Sequence, residues 1–140
     1  MPTLKEKIFA KVNGPTLSAL ATVTENGKPW VRYVTPFVDK SMTFWMATFI
    51  HSRKVAQIRK NSEVHLTVGV TDVQTAESYL QVAGRAEILT DAKTKKAVWF
   101  DELKNIFSGP EDANYCVCKI TPYRIEYHTM GPVPPEIWEP

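Results

Sequence analysis

The sequence predicts a mainly β protein, a small antiparallel β-barrel with short helices at its periphery. Six or seven short apolar or alternating segments follow one another, and turn signals such as Asn26-Gly27 separate several of them. Strands that are joined by tight turns are antiparallel, and a sheet of many short strands tends to close so that no edge stays free. Helical apolar spacing is confined to a few short segments.

Length and composition predict one domain over residues 1–140, because 140 residues are enough for one core and too few for two ordinary domains. The net charge of +2, with both signs mixed, argues against a nucleic-acid partner that is recognised by bulk charge. No apolar run approaches membrane-spanning length, and the first residues are charged, unlike a secretory signal. We therefore expect a cytoplasmic location without a membrane partner.

The first half of the chain begins with a predicted helix. Thr3 and Glu6 form a capping box ahead of an apolar stripe, and Asn13-Gly14 ends the helix. The second helix starts at Ser52, whose hydroxyl is expected to accept from a free N–H of the first turn. The strands predicted in this half are Leu17–Val23, Trp30–Val38 and Met42–Thr48.

The second half contains four more predicted strands: Val64–Val70, Ser78–Leu89, Tyr115–Thr121 and Tyr123–His128. Pro122 predicts a bulge or an edge between the last two. Asp91 caps a longer third helix, and the side chains expected on one face of it are Trp99, Leu103, Ile106 and Phe107. Residues 129–140 are rich in proline and predict an extended arm outside the sheet, which we expect to pack against another surface.

The three histidines are scattered, and the two cysteines match no zinc or thioredoxin-type spacing, so no metal site is expected. Cys116 and Cys118 are two apart in a predicted strand and point to the same face. They are interpreted as small, half-buried thiols.

The second helix has two cations, Arg53 and Lys54, directly after its N-cap. A helix N-terminus carries about half a positive charge, so cations are unfavourable there unless an anion lies between them and the free N–H groups. Phosphate suits this position because the backbone donates to it and arginine adds a bidentate fork. The alternative is that both residues are solvated surface charges.

Arg32 adds a second signal, because it lies within an apolar strand on the same face as Trp30 and Val34. A cation there is seldom left unpaired. It pairs either with a carboxylate of a neighbouring strand or with the same anion as Arg53 and Lys54.

Together these residues resemble the pyridoxamine 5'-phosphate oxidase-like, FMN-binding split-barrel family, in particular its general stress protein 26 branch. The resemblance rests on the order of Arg32, Ala47-Thr48 and Ser52-Arg53-Lys54, on Gln81 in YLQVAGRAEI, and on WFDELKNIFSGPEDANYCVCKITPYRIEYH. It extends from about Leu4 to His128 and implies a split antiparallel barrel, FMN as cofactor and a homodimer with flavin sites at its interface.

The resemblance also implies a site for each part of FMN. The residues implied for the phosphate are Arg32, Ser52, Arg53 and Lys54. Those implied for the ribityl chain and the ring are Val34, Ala47, Thr48 and Gln81, with Tyr33, Trp45 and Tyr79 as candidate ring contacts. No catalytic acid or base can be named.

Two departures argue against pyridoxamine phosphate as the substrate. Phe37 stands where the strand of true oxidases ends in lysine, and GPVPPEIWEP replaces their C-terminal region that grips the substrate phosphate. We expect an FMN-dependent oxidoreductase of undetermined substrate, with a small-molecule electron donor and acceptor. The alternatives are a non-catalytic flavin-binding or sensing module, and a split-barrel relative that binds a deazaflavin or haem.

Overall fold

The computed structural model describes all 140 residues and is an antiparallel sheet with helices around it. The helices are α1 Leu4–Lys11, α2 Arg53–Lys60 and α3 Ala92–Val98, with a 3₁₀ helix at Asp101–Asn105. The strands are β1 Ser18–Val23, β2 Pro29–Val34, β3 Phe37–Val38, β4 Phe44–Phe49, β5 Glu63–Val68, β6 Ser78–Leu89, β7 Tyr115–Thr129 and β8 Glu136–Trp138. No helix has the length and apolar character needed to cross a membrane.

The strand order β2-β1-β5-β6-β7-β4-β3 confirms the antiparallel split barrel. β2 and β3 are the two ends of the sheet, and both come from the single strand predicted at Trp30–Val38. Pro36 has no N–H for a ladder bond and restricts Thr35 before it, so the strand breaks at these two residues. The barrel is therefore open between β2 and β3, although the chain itself joins them.

The structure confirms α1 and its Thr3 N-cap, which is one half of the predicted capping box. Glu6 N–H donates to Thr3 Oγ1 at 3.2 Å, and Ile8 is fully buried in the core. The main core fills the barrel with the inward residues of alternating strands, among them Leu20, Phe44, Met46, Leu66, Leu80, Val82, Ile120 and Ile125.

β7 is one continuous strand where two were predicted, but the expected bulge is present. The register between β6 and β7 shifts at Ala83 and Gly84, and Gly84 pairs with Pro122. A Cβ on Gly84 would lie 2.8 Å from the Thr121 carbonyl oxygen, so the two backbones approach too closely there for a larger residue.

The third helix is shorter than predicted, since α3 ends at Val98 and Trp99 is extended. The bend allows the rings of Trp99 and Phe107 to pack against Tyr115 at centroid distances of 5.5 and 5.2 Å. Leu103 is buried with them, whereas Ile106, expected on the same face, is 57% exposed. Tertiary packing on Tyr115 thus overrides the helical pattern.

The prediction that the C-terminal arm stays outside the sheet is wrong. β8 pairs with residues Ile125–Tyr127 of β7, and Lys7 Nζ lies 2.6 Å from Glu136 Oε2. Three prolines of the arm precede this strand and Pro140 follows it, so the strand's own residues keep their N–H donors. The arm therefore packs against its own chain, where it covers the part of β7 that β4 leaves unpaired.

Candidate functional site

The N-terminus of α2 carries the first unusual feature, two buried hydroxyls without partners. Ser52 has the extended backbone of an N-cap, but its side chain makes no capping bond, contrary to the sequence expectation. Ser52 Oγ and Thr48 Oγ1, on β4, are both buried without a hydrogen-bond partner. A buried hydroxyl that lacks a partner is costly, so this pair indicates groups oriented for a ligand.

Arg32 on β2 is held by neutral oxygens only. Its Nη1 donates to Thr22 Oγ1 at 2.7 Å and to the carbonyls of Leu20 and Trp30 at 3.3 and 3.1 Å. Its Nη2 donates to Gln57 Oε1 at 3.0 Å, which also accepts from the Thr22 hydroxyl. No carboxylate pairs with Arg32, so the neighbouring-strand ion pair considered from the sequence does not form.

Arg32, Arg53 and Lys54 form a cation cluster whose members repel one another. Burial, and then the charge of Arg53, holds the pKa of Arg32 below its ordinary value. Burial, and then the charge of Arg32, does the same to the pKa of Lys54. None of the three lies within 4.0 Å of a carboxylate. Three close cations without a counter-charge are the arrangement that a bound anion relieves.

A cleft of about 260 Å³ opens at the split of the barrel, beside the cation cluster. Its inner side comes from the break between β2 and β3, the end of β4 and the start of α2, and its far wall comes from the segment after α3. The lining residues are Leu17, Tyr33, Val34, Thr35, Ala47, Thr48, Phe49, Lys54, Phe100, Leu103, Ile106 and Phe107. Lys54 is the one charged side chain among them.

The residues fit a phosphate ester of a flat ring, which is the shape and charge of FMN. The cations and the Ser52 hydroxyl supply donors for phosphate oxygens, and Thr48, whose buried hydroxyl has no partner, is one of the residues that line the cleft. The apolar walls suit a ring that must leave water. No histidine lines the cleft, so it offers no imidazole ligand for a haem iron.

The structure brings most of the predicted cofactor residues together. Tyr33, Val34, Ala47, Thr48 and Lys54 all line the cleft. Arg53 lies on the adjacent side of α2, where it lines a shallow hollow with Gln57 and the Lys60–Glu25 ion pair.

Three predicted residues lie elsewhere. Trp45 donates its indole N–H to Asp39 and lines a separate hollow with Phe37, the residue that stands where the strand of true oxidases ends in lysine. Tyr79 stacks on His128 with centroids 4.9 Å apart, and Gln81 pairs with Thr67 and Glu126 across the sheet.

Gln81 and Tyr79 belong to what we call the outer face, the side of the sheet opposite the core. Its residues are Ala19, Val31, Tyr33, His65, Thr67, Tyr79, Gln81, Ala83, Arg124, Glu126 and His128. Val31 and Tyr33 are 63% and 77% exposed, although both are large and apolar or aromatic.

The outer face also carries a charged cluster around Glu126. Arg124 Nε and His128 Nε2 lie 2.6 and 3.0 Å from the Glu126 carboxylate, and the hydrogen bond from Arg124 holds the pKa of Glu126 below its usual range.

Sequence reasoning missed the partners of Arg32 and the far wall of the cleft. Gln57 lies one turn after Arg53 on α2. This spacing places the two residues on the same face of the helix, and it could have indicated that Gln57 lies near the cations. Thr22 depends on the register of β1 with β2, which the sequence does not specify. The wall residues after α3 were expected on a regular helix and therefore were not considered for the site.

The cysteines are more deeply buried than predicted. Both are 0% exposed, and Cys116 Sγ lies 3.5 Å from the Thr48 carbonyl oxygen. Burial raises the pKa of the Cys118 thiol to about 12 and that of Cys116 in the same direction. Both are therefore neutral thiols at physiological pH and unsuited to act as nucleophiles.

Comparison with known proteins agrees with the fold. Residues 4–129 match the family model described as pyridoxamine 5'-phosphate oxidase. General stress protein 26 of Bacillus subtilis is 31% identical over 128 residues, which cover 91% of this chain and 90% of that protein. The crystal structure of General Stress Protein 26 from Bacillus anthracis superposes with a TM-score of 0.81 at 33% identity, covering 97% and 98% of the two chains.

The likeness to the oxidases themselves is partial. Pyridoxine/pyridoxamine 5'-phosphate oxidase of Escherichia fergusonii is 36% identical over 95 residues, which cover 66% of this chain but 41% of that enzyme. The family match itself extends over nearly the whole barrel. The chain therefore belongs to the pyridoxamine 5'-phosphate oxidase family.

Proposed function

We propose that this protein is an FMN-binding flavoprotein, an FMN-dependent oxidoreductase that resembles general stress protein 26 and whose substrate is undetermined. The observation that carries the proposal is the cation cluster of Arg32, Arg53 and Lys54. It has no carboxylate partner and lies beside a cleft with an unpartnered buried hydroxyl. A phosphate ester of a flat ring satisfies both features at once.

The phosphate would bind at the start of α2. Arg53, Lys54 and the Ser52 hydroxyl would donate to it together with the free backbone N–H groups of the first turn. Arg32 would approach from β2, and its orientation is already fixed by Thr22 and Gln57. An arginine that is held in place before binding loses little side-chain entropy when the anion arrives.

The ring would lie against Val34, Ala47 and Thr48, at the opening of the barrel. Bound FMN supplies reversible two-electron chemistry, while the protein orients the ring and limits the access of water. The chain contributes an apolar surface and one hydroxyl here, and no acid or base lies in the cleft apart from Lys54 and Tyr33.

We also propose a homodimer in which the outer face packs against a second copy. The exposed Val31 and Tyr33, and the small Ala21 and Ala19 that pair with them on β1, suit close contact with another sheet. The cleft of about 260 Å³ is open and lies just below the roughly 300–1,000 Å³ of typical ligand sites. A second copy would complete it and would place Gln81 in the shared site.

The cytoplasm is the proposed location, because both cysteines are free. Free thiols are the usual state of cysteine in a reducing compartment.

The absorption spectrum of the purified protein, after incubation with FMN and gel filtration, tests the cofactor. A retained flavin spectrum with stoichiometric phosphate supports the proposal. A haem or deazaflavin spectrum, or complete loss of FMN in the filtration step, contradicts it.

Turnover is tested on the loaded protein. Reduction by a nicotinamide followed by reoxidation with an added acceptor supports an oxidoreductase. A flavin that binds tightly but exchanges electrons no faster than free FMN instead indicates a binding or sensing module.

A further inference from the structure

The two sides of the cleft differ in charge. Lys54 and the rest of the cation cluster lie on the side of α2, whereas the far wall consists of the segment from Phe100 to Phe107, with Phe49 at the end of β4 packed against it. Four residues of that segment line the cleft, and all are apolar: Phe100, Leu103, Ile106 and Phe107. Once a phosphate occupies the cation cluster, no charged side chain of the cleft remains for a second ligand.

The far wall is firmly anchored at its base and apolar at its opening. Leu103 and Phe107 are 5% and 4% exposed, and the Phe107 ring packs against Phe49 and Tyr115 at 4.8 and 5.2 Å. Ile106 and Phe49 are instead 57% and 48% exposed, so two large apolar side chains border the opening of the cleft. Exposed apolar groups beside a ligand site indicate what the site receives.

From this arrangement we infer that the opening of the cleft receives a planar, uncharged, apolar electron acceptor of the quinone class. The inference rests on the proposed function, because the electrons come from FMN. An anionic compound would enter an apolar opening without a counter-charge, which is costly, whereas a neutral ring would gain contact with Phe49, Ile106 and Phe107. Pyridoxamine phosphate, with its dianionic phosphate, should be a poor substrate on the same grounds.

The reaction balances without a further reagent. A quinone takes up two electrons and two protons and becomes a hydroquinone. Reduced FMN gives up two electrons and two protons and becomes oxidised FMN, so both half-reactions match. The chain's part is to admit the neutral ring and to exclude charged ones.

The test compares 1,4-naphthoquinone, a flat neutral ring, with 1,4-naphthoquinone-2-sulfonate, a flat ring that carries a negative charge. The FMN-loaded protein is photoreduced without oxygen, mixed with each compound, and followed by flavin absorbance, with free reduced FMN as the reference. Relative to that reference, we expect the protein to favour the neutral compound by at least ~10-fold, a ratio that a poorly matched group in an apolar pocket commonly produces.

Two variants locate the effect. Ile106→Lys should slow the neutral compound and accelerate the sulfonate, because it places a cation at the opening. Val73→Lys is the matched control, since Val73 is 83% exposed in the loop between β5 and β6 and does not line the cleft. The inference is overturned if the protein shows no preference beyond free FMN, or if both variants behave alike.

Equilibrium dialysis of the two compounds against the oxidised protein, with and without FMN, provides a readout independent of turnover. Retention of the neutral compound by the FMN-loaded protein that Ile106→Lys abolishes supports the inference. A protein that retains no FMN refutes the proposed function, and the inference about its electron acceptor with it. Equal retention of both compounds by a protein that binds FMN refutes the inference alone.

Discussion

Arg53 and Lys54 occupy positions where the helix dipole disfavours positive charge. Their replacement should therefore affect ligand affinity and the free energy of unfolding differently. We expect Arg53→Ala together with Lys54→Ala to lower FMN affinity at least ~100-fold, since each charge-assisted contact contributes about 1.5–3 kcal/mol. Riboflavin, which has no phosphate, should bind both proteins about equally. Fluorescence titration measures both affinities.

The control for the double variant is Arg59→Ala, which removes an exposed cation from the last turn of the same helix. It should leave FMN affinity unchanged. The free energy of unfolding of the FMN-free double variant should hold or rise slightly, because unfavourable contacts with the helix dipole are removed. If the double variant retains normal FMN affinity, the two cations are surface charges and the phosphate site lies elsewhere.

Lys54 also predicts a pH dependence. Its pKa is lowered in the free protein by burial and by Arg32, and a bound phosphate would raise it again. Between the lowered and the raised pKa, binding takes up a proton, so FMN affinity should fall as the pH rises through this interval. Below it the lysine is charged in both states, and affinity should stay level until the phosphate itself gains a proton near pH ~6.

Lys54→Arg tests the assignment, because arginine stays charged above pH ~12 and should extend the plateau to higher pH. Isothermal titration across pH 7–10 in buffers of different ionisation enthalpy measures both affinity and proton uptake. An unchanged alkaline decline in the arginine variant would exclude Lys54 as the titrating group.

How far the site could be predicted depended on whether a residue is unusual in its own local context. Arg32 is a cation within an apolar strand, and Arg53 and Lys54 are cations at the start of a helix. Each is unfavourable in its local sequence context, and this is why the sequence alone indicated all three. The structure brings them together. Thr22 is ordinary in its strand, and only the pairing of β1 with β2 reveals that it holds Arg32. Gln81 is equally unremarkable in its strand, and its place on the outer face gives it a role only if a second copy is present.

Among the elements, the pairing of β6 with β7 has the least tolerance for substitution. Gly84→Ala would place a Cβ 2.8 Å from the Thr121 carbonyl oxygen and 3.0 Å from Pro122 Cα, both of them backbone atoms. We expect a loss of about 1–3 kcal/mol in the free energy of unfolding, as for other overpacked sites. Urea denaturation of the FMN-free protein measures it.

Gly109→Ala is the comparison, because a Cβ there meets only the flexible Glu111 side chain at 3.1 Å. This variant should be nearly neutral. Equal stability of the two variants would mean that the bulge can relax, and that the close approach at Gly84 is not required.

The local sequence pattern predicted a helix or strand well where that element buries one face against a single neighbouring element. α1, β6 and the hairpin of β1 with β2 follow their caps, turns and apolar spacing closely. The predicted length of the third helix was wrong, because the residues after Val98 pack around Tyr115. Tyr115 lies on β7 and is remote in sequence from the helix. The strand at 136–138 was not predicted, because the arm was judged by its proline content and the strand itself contains no proline.

For the whole molecule, the exposed apolar residues of the outer face predict self-association. Tyr33→Glu or Val31→Glu should shift the protein from dimer toward monomer at micromolar concentration, since a carboxylate there would be buried without a partner. Val73→Glu is the control, because Val73 is 83% exposed but lies in the loop between β5 and β6. Light scattering distinguishes the states, and a wild-type monomer would contradict both the dimer and the shared site.

The break at Thr35-Pro36 has a consequence for the order of folding. The two ends of the sheet are only two residues apart along the chain, so the entropy of bringing them together is small. β4 instead joins β7 across a long loop, as the Thr48–Cys116 contact at a sequence separation of 68 shows. Contacts this distant are slow to form. Because β4 supplies Ala47, Thr48 and Phe49, we expect the cleft to be complete only after this late pairing. A nascent chain would then present the proposed flavin site only once β7, its last long strand, is in place.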